Sequence, residues 1–263
     1  MKSAITLLGR LTLEGLRWLG EAQLLLQQAL WLILRGRVQR AQTMQQMAVI
    51  GFDSLPIVLL TLFSGGMVLA LHTVRQLVTY GAAEFAGGGV ALAVARELGP
   101  VLTAVVVAAR VGSAIAAELG SMKITDQVDA LRSLAVSPVE HLVVPRVVAA
   151  VVMLPVLTVL ADATGGLGAY VVGVTQGIAS ETYVRSVERF LTGADIFGGL
   201  AKAAVFGFII AVVACHSGLR ARGGAHGVGQ ATTSAVVISI VLIYVSDYFL
   251  SWVMLSLLAL TGR

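Results

Sequence analysis

The sequence predicts an all-α, polytopic membrane protein, and three features of its 263 residues indicate this class. Hydrophobic residues make up 57% of the chain and charged residues only 12%, which is more apolar side chain than one soluble core requires. Several apolar runs reach the roughly 20 residues that a helix needs to cross a bilayer. The alternating ten-residue pattern of barrel strands is absent from the sequence, so the spanning segments are expected to be helices.

The N-terminal segment, 1–48, is expected to form an amphipathic helix at the membrane interface. Arg10, Glu14, Arg17 and Glu21 recur every three or four residues, which places them on one helix face, and the apolar run LLLQQALWLIL follows. This pattern is typical of helices that lie in the plane of the interface. The alternative is an ordinary amphipathic helix packed on protein.

Five membrane-spanning helices are predicted, at 49–72, 89–117, 142–175, 197–218 and 235–260. Basic residues precede the first span and also lie between the second and third spans and between the fourth and fifth. By the positive-inside rule these segments face the cytoplasm, whereas the loops around Tyr80 and at 176–195 face outward. The chain is predicted to be a single membrane domain, 1–263.

The second span carries charged residues inside an apolar run. The stretch VARELGPVLTAVVVAARVGSAIAAELGS contains Arg96, Glu97, Arg110 and Glu118. The two glutamates are 21 positions apart, about 31 Å of helix, so they are expected to bracket the hydrocarbon. An arginine at a helix centre opposes insertion by roughly 2.5–3.5 kcal/mol, so Arg110 is predicted to face the protein interior. It then either marks a functional site or fixes the bundle by pairing with Asp162, Asp247 or a backbone carbonyl.

The segment 119–138 follows this span and is too polar to cross a membrane. Its sequence GSMKITDQVDALRSLAVSP interleaves charged and apolar residues, which predicts a short amphipathic helix that ends near Pro138. A helix on the cytoplasmic side, joined tightly to two spans, is suited to contact a soluble partner. The alternative is a helix that rests on the membrane surface.

The second span and the segment 119–138 resemble the corresponding part of a known protein family, and the resemblance covers the chain from about residue 45 onward. The chain resembles the MlaE/YrbE family in RELGPVLTAVVVAARVGSAIAAELGSMKITDQVDALRSLAVSPVEHLVVPR, in GGAHGVGQATTSAVV and in the aspartate of VSDYFL. Members of this family are permease subunits of ABC transporters that move phospholipids with an MCE-domain lipid-binding partner.

The resemblance implies a homodimer in the inner (cytoplasmic) membrane, with two cytoplasmic ATPases docked on the segment 119–138. Lipid would occupy a cavity between the two permeases that opens toward the MCE partner. ATP would be used by the partner ATPase, and this chain would bind no cofactor of its own. The resemblance assigns Arg96, Glu97, Tyr80, Met67 and Asp247 to the lipid cavity. It assigns Met122, Lys123, Thr125, Asp126, Gln127, Leu131 and Arg132 to ATPase coupling.

The chemistry of the charged side chains in the second span suggests roles for them independently of the resemblance. The guanidinium of Arg96 is suited to bidentate contact with a lipid phosphate, and Glu97 can orient it or repel an anionic headgroup. The alternative is an Arg–Glu pair that only anchors the depth of the helix. Arg110, Glu118 and Asp162 are expected to be buried polar residues.

Other classes of protein are less favoured by the sequence. A phosphate-binding G-x-x-x-x-G-K-[ST] loop is absent from it, so ATP hydrolysis is expected in another chain, and the four histidines lack compact metal-ligand spacing. A nucleic-acid partner is not expected, because the basic residues cluster at the edges of apolar runs. The remaining alternatives are an intramembrane hydrolase, in which Asp162 and Asp247 face each other, and a non-transporting membrane scaffold.

Overall fold

The computed structural model describes residues 2–260 and, for residues 2–11, 14 and 257–260, the backbone only. Within these residues all regular structure is helical, which confirms the all-α prediction. In the described part of the chain, five helical stretches are long and apolar enough to cross a membrane: Arg40–Thr79, Ala83–Ile124, Val139–Thr175, Gly193–Leu219 and Gly224–Ser256. Their number and order confirm the predicted spans. Each begins earlier than predicted, because a helix continues into the polar flanks that the hydrophobic pattern does not register.

The helices follow one another along the chain in this order. The N-terminal helix α1 (Lys2–Leu34) is followed by α2 (Arg40–Gly51) and α3 (Leu55–Thr79). The second span contains α4 (Ala86–Ala93), α5 (Gly99–Val107) and α6 (Ser113–Ile124), joined by π-helical turns at Val94–Leu98 and Ala108–Gly112. The remaining helices are α7 (Gln127–Ser133), α8 (Val144–Thr175), α9 (Ser180–Phe190), α10 (Gly193–Leu219) and α11 (Gly224–Leu260).

The N-terminal segment is divided at Leu34, which corrects the expected interfacial segment 1–48. α2 belongs to the helical stretch of the first span, so only α1 remains as the separate N-terminal helix. Glu21 of α1 lies 3.2 Å from the Nε atom of Arg220, and the Trp18 ring packs edge-on against His216. Leucines elsewhere on α1 are exposed, so one face packs on protein and another is free for lipid. The side chains of Arg10 and Glu14 lie outside the described residues.

α8 is the central helix of the bundle. In the span that contains α8, 61% of the most apolar stretch is buried inside the protein, whereas in the span that contains α11 the buried share is 11%. α8 packs against α2, α3 and α10, and its approach to α3 is close at Gly66. A methyl group at Gly66 would overlap the backbone oxygen of Gly165, so the two backbones are in direct contact.

α11 lies at the edge of the bundle and leaves a large apolar face exposed. This face carries Val237, Val241, Tyr244, Val245, Tyr248, Phe249 and Trp252. A surface of this size on a membrane helix is covered by lipid or by another protein.

The segment 176–195, which was predicted to face outward, contains α9, a helix that was not predicted. Tyr183 of α9 is buried in an apolar cluster with residues of α3, α4 and α8. Burial raises the pKa of the Tyr183 hydroxyl to about 12. α9 therefore closes one end of the bundle, opposite the end where α7 lies.

Candidate functional site

A buried lysine in α10 joins three membrane-spanning helices. The side chain of Lys202 is only 3% exposed. Its ammonium donates hydrogen bonds to Glu97 Oε1 (2.9 Å), to Ser251 Oγ (2.7 Å) and to the backbone oxygen of Arg96 (2.9 Å). Asp247 Oδ1 lies 3.0 Å from the same nitrogen. Since an ammonium has three N–H groups, the three hydrogen bonds use all of its donors, and Asp247 is held by charge.

Lys202 was not among the predicted site residues, although the sequence around it carries a usable signal. It is the one Lys or Arg residue within the range 193–219, and an ionisable residue inside a membrane span is a functional-site candidate by default. Its partners could not be predicted in the same way, because Glu97 is 105 positions away along the chain.

Arg96 pairs with Asp195 and not with Glu97. The Nη2 and Nε atoms of Arg96 lie 2.6 Å and 2.8 Å from Asp195 Oδ1. The other carboxylate oxygen accepts hydrogen bonds from the backbone N–H and the hydroxyl of Thr192, at 2.9 Å and 2.7 Å. The interpretation in which Glu97 orients the guanidinium is therefore wrong. Successive residues of a helix point in different directions, so Arg96 reaches the start of α10 while Glu97 reaches Lys202.

A cavity of about 270 Å³ opens beside these charges. It is lined by Arg96, Glu97, Ser251, Leu92, Ala93, Met254 and Leu255. The Arg96 side chain remains 31% exposed and Glu97 50% exposed, so both contribute charge to the cavity. A lining that combines polar groups with aliphatic side chains suits an amphiphilic molecule. We call Arg96, Glu97, Asp195, Lys202, Asp247 and Ser251 the charged cluster.

The other two residues assigned to the lipid cavity lie elsewhere. Tyr80 follows the last residue of α3 and is 82% exposed. Met67 packs between α3 and α8, where it approaches Gly168. The structure thus brings Arg96, Glu97 and Asp247 together and leaves Tyr80 and Met67 apart from them.

The partners predicted for Arg110 are also wrong. Its Nη2 atom lies 3.4 Å from Asp53 Oδ2, and Nη1 donates a hydrogen bond of 3.1 Å to Ser54 Oγ. Asp53 and Ser54 occupy the break between α2 and α3, a position that sequence analysis placed inside a continuous span. The Arg110 side chain is 38% exposed, so it is not fully interior within this chain.

Glu118 is bound by an arginine that the sequence analysis did not single out. Arg146 Nη2 lies 2.8 Å from Glu118 Oε2, and the Arg146 side chain is 5% exposed against 54% for Glu118. The expected burial of Glu118 is therefore wrong, and the buried member of the pair is Arg146. Arg146 follows a proline near the start of α8 and lies inside the predicted span 142–175, where an ionisable residue is itself a usable signal.

Asp162 and Asp247 contact different parts of the bundle. The Asp162 carboxyl packs so closely on Gly99 that any side chain at position 99 would overlap it. It lines a cavity of about 470 Å³ together with Tyr170 and Tyr183. Asp247 is held at Lys202 instead. The described contacts therefore do not bring the two carboxyls together as an aspartate pair.

The predicted coupling segment contains a shorter helix than expected. α7 covers Gln127–Ser133 rather than most of 119–138, and Met122 and Lys123 belong to the end of α6. Asp126 lies in the turn between α6 and α7 with a φ angle of 58°, a left-handed conformation that allows this sharp change of direction. Val128 is buried, whereas Asp126 and Gln127 are exposed.

Charged pairs fix α7 against the end of α6. Lys123 Nζ lies 2.8 Å from Asp129 Oδ2, and Arg132 Nη1 lies 3.1 Å from Asp129 Oδ1. The hydrogen bond from Lys123 holds the pKa of Asp129 below its usual value, so the carboxylate stays ionised at neutral pH. Gln127 donates a hydrogen bond of 3.0 Å to the Thr125 hydroxyl, and Leu131 packs partly buried against the core. The segment therefore presents a fixed, mixed-charge surface at one end of the bundle.

The chain is similar in sequence to several known proteins. Residues 43–253 match the family model described as Permease MlaE. A probable ABC transporter permease protein of Synechocystis is 46% identical over 223 residues, which cover 84% of this chain and 85% of that protein. A probable ABC transporter permease protein of Rickettsia bellii is 41% identical over 245 residues, which cover 93% of this chain and 95% of that protein. The chloroplastic protein TRIGALACTOSYLDIACYLGLYCEROL 1 of Arabidopsis thaliana is 42% identical over 220 residues, covering 83% of this chain and 63% of that protein.

Proposed function

Because this chain belongs to the MlaE permease family of non-catalytic ABC transporter subunits, we propose that it moves phospholipids between the inner membrane and an MCE-type lipid-binding partner. It is a multi-pass membrane protein, and ATP hydrolysis resides in a separate subunit. We propose that it binds no cofactor of its own.

The charged cluster and its adjoining cavity carry this proposal. Charged groups inside a membrane span are energetically costly and are found where a polar substrate passes. Here two cations and three carboxylates meet beside aliphatic residues of the second span and of α11. A phospholipid has the matching chemistry, a charged phosphate joined to acyl chains.

Arg96 is the proposed phosphate contact. Its described ion pair uses the Nε and Nη2 atoms, and the partly exposed side chain lines the cavity. A guanidinium has five N–H donors, so it can hold Asp195 and a phosphate oxygen at the same time. The fixed pair with Asp195 keeps the guanidinium in place when lipid is absent.

A second copy of the chain would complete the cavity. At about 270 Å³ the cavity is below the usual size of a small-molecule pocket, and a lipid with two acyl chains needs more room. The cavity is lined in part by α11, and the exposed apolar face of that helix is suited to pack on an identical helix. We therefore propose a homodimer with the lipid held between the two copies.

The name of the Arabidopsis relative is that of a diacyl galactolipid, which supports a lipid as the class of cargo. The proposal that the lipid headgroup contains a phosphate depends on the chemistry of the Arg96 guanidinium.

The proposed docking site for the ATPase is α7 with the adjacent turn, because this surface is exposed and lies at the end of the bundle with the larger number of basic residues.

A lipid-transfer assay on the purified assembly tests the proposal. We expect Arg96→Gln to lower transfer of phospholipid to the MCE-type partner at least tenfold, since about 1.5–3 kcal/mol is typical of a hydrogen bond to a charged group. Arg75→Gln is the matched control, because Arg75 is exposed near the end of α3 and away from the cavity. Unchanged transfer by an intact Arg96→Gln assembly would show that the phosphate contact is not made by this residue.

A further inference from the structure

A second charged cavity lies at the other end of α10, between α1, α7 and the residues that follow α7. Its volume is about 400 Å³. Three basic residues line it, Lys123, Arg132 and Arg220, together with Glu21 and His216. Arg220 is 18 positions beyond Lys202, roughly 27 Å along a helix, so this cavity is separate from the charged cluster.

The basic residues of this cavity exceed their acidic partners. Lys123 and Arg132 share Asp129, and Arg220 pairs with Glu21. The ion pair of Arg132 uses Nη1, and that of Arg220 uses Nε at 3.2 Å. Each guanidinium therefore retains further N–H groups for another acceptor. Three cations against two carboxylates leave one net positive charge for an anion.

His216 is a buried polar residue that lines the same cavity without a hydrogen-bond partner. Its side chain is 3% exposed, and neither ring nitrogen has a hydrogen-bond partner among the described residues. The nearest carboxylate, Glu21, is 3.8 Å from Nε2, beyond hydrogen-bond distance. Buried polar groups are almost always satisfied, so an orphaned imidazole in a cavity indicates a site for a polar ligand or water.

The cavity continues into an apolar groove along α1. A neighbouring cavity of about 390 Å³ shares Gln28, Ser137 and Val139 with the first. Trp31 and Leu32 line the neighbouring cavity, while Leu24, Leu25 and Leu219 line the first. The two together form a groove that is basic at one end and largely apolar along its length.

We propose that this groove binds an anionic phospholipid of the cytoplasmic leaflet, with the phosphate between Arg132 and Arg220 and an acyl chain along α1. Basic pockets among membrane helices on the cytoplasmic side are suited to anionic headgroups. The placement rests on the orientation in which α7 faces the cytoplasm, and it does not depend on lipid transport. A bound lipid would connect α1 to α7, the proposed docking site of the ATPase, so the composition of the leaflet would influence coupling.

Trp18 reports on this site because its ring packs against His216. The chain has three tryptophans, and replacing Trp31 and Trp252 by Phe leaves Trp18 alone in the full-length protein. This protein is reconstituted in phosphatidylcholine vesicles that contain a minor fraction of brominated phosphatidylglycerol or, separately, of brominated phosphatidylcholine. We expect stronger quenching of Trp18 by the anionic brominated lipid at equal bromine content.

Variants at the C-terminal end of α10 test whether the preference of the protein for phosphatidylglycerol arises in the groove. Arg220→Gln should lower the preference for phosphatidylglycerol roughly fivefold, the effect of one basic residue near an anionic lipid. Arg220→Lys, which keeps the charge, should retain most of it and shows that the site is still folded. Arg222→Gln is the matched control, since Arg222 is exposed and does not line the groove.

Four results would overturn the proposal: equal quenching by both lipids, an unchanged preference in Arg220→Gln, an equal loss in Arg222→Gln, or loss of the preference on adding inorganic phosphate. The third would indicate general surface attraction, and the fourth would identify free phosphate as the ligand. Arg96→Gln leaves this groove intact, so failure of the lipid-transfer test and failure of this one are distinguishable.

Discussion

Several charged residues of the membrane spans form ion pairs with charged residues of other helices. Arg96 pairs with Asp195, Lys202 with Glu97 and Asp247, and Arg146 with Glu118. An unpaired ion in a low-dielectric interior is several kcal/mol less stable than a paired one, so these pairs stabilise the fold, whether or not the proposed contact of Arg96 with lipid is made.

Lys202→Met tests whether the lysine neutralises the charged cluster. The substitution leaves Glu97 and Asp247 facing each other without a cation, and we expect a loss of about 3–5 kcal/mol of stability. Thermal unfolding of the detergent-solubilised protein measures this loss. Lys123→Met is the control, because Lys123 is partly exposed and at the edge of the bundle.

The triple variant Lys202→Met, Glu97→Gln, Asp247→Asn should recover most of the lost stability but not lipid transfer. If Lys202→Met is no less stable than Lys123→Met, the lysine does not hold the cluster together.

Sequence reasoning found part of this cluster and missed the rest for a physical reason. The resemblance supplied Arg96, Glu97 and Asp247, and Lys202 was available as a lone cation in an apolar run. Asp195 had a local signal too, since Thr192 followed three residues later by an acid is a capping pattern before an apolar run. Which charges pair depends on helices packing side by side, and that information is not local in the sequence.

The second span is the element that positions the cluster. It is interrupted by two π-helical turns, one containing Arg96 and Glu97 and the other containing Arg110. A π turn adds a residue to the helical repeat and changes the direction of the side chains that follow, a feature that recurs at functional sites. Hydrophobic periodicity predicts the helix, but it cannot predict where such a turn falls.

Gly66→Ala tests the close approach of α3 to α8. The added methyl group would overlap the backbone oxygen of Gly165, which cannot move without shifting a whole helix. We expect a loss of about 1–3 kcal/mol of stability from this overpacking, measured by thermal unfolding in detergent. Gly166→Ala is the matched control, as open space surrounds position 166, and it should be neutral or slightly stabilising. Equal effects of the two variants would contradict this packing.

Charge reversal at Asp126 tests α7 and its turn as the coupling element. Asp126 is exposed and forms no salt bridge among the described residues, so Asp126→Lys should leave the permease folded, at a cost of about 1–2 kcal/mol for a lysine in the left-handed conformation. We expect several-fold lower ATP hydrolysis by the assembly, because a like-charge or mismatched contact at an interface weakens docking. Asp126→Asn, which also tolerates the left-handed turn, is the control. Normal hydrolysis by an assembled Asp126→Lys complex would exclude this surface from coupling.

For the molecule as a whole, the number and order of the spans were predictable from the sequence, because apolar runs of sufficient length indicate them. The orientation given by the positive-inside rule stays a prediction. The extent of α1, the helix α9 and the break between α2 and α3 were not predictable, because they depend on packing against neighbouring helices rather than on the hydrophobic pattern.

The whole molecule is also asymmetric in burial. α8 is central, whereas α11 exposes a broad apolar face next to the cavity of the charged cluster. A small cavity beside an exposed apolar helix face is the arrangement expected if the proposed homodimer forms at this face.

A density map of the assembly purified from membranes through this chain tests the proposed lipid site, dimer and ATPase contact together. We expect two copies related by a two-fold axis with their α11 faces together, and lipid density whose headgroup lies within hydrogen-bond distance of Arg96. It also predicts an ATPase in contact with α7. A map in which Arg96 and Glu97 face bulk acyl chains, or in which no nucleotide-hydrolysing subunit touches α7, would contradict it.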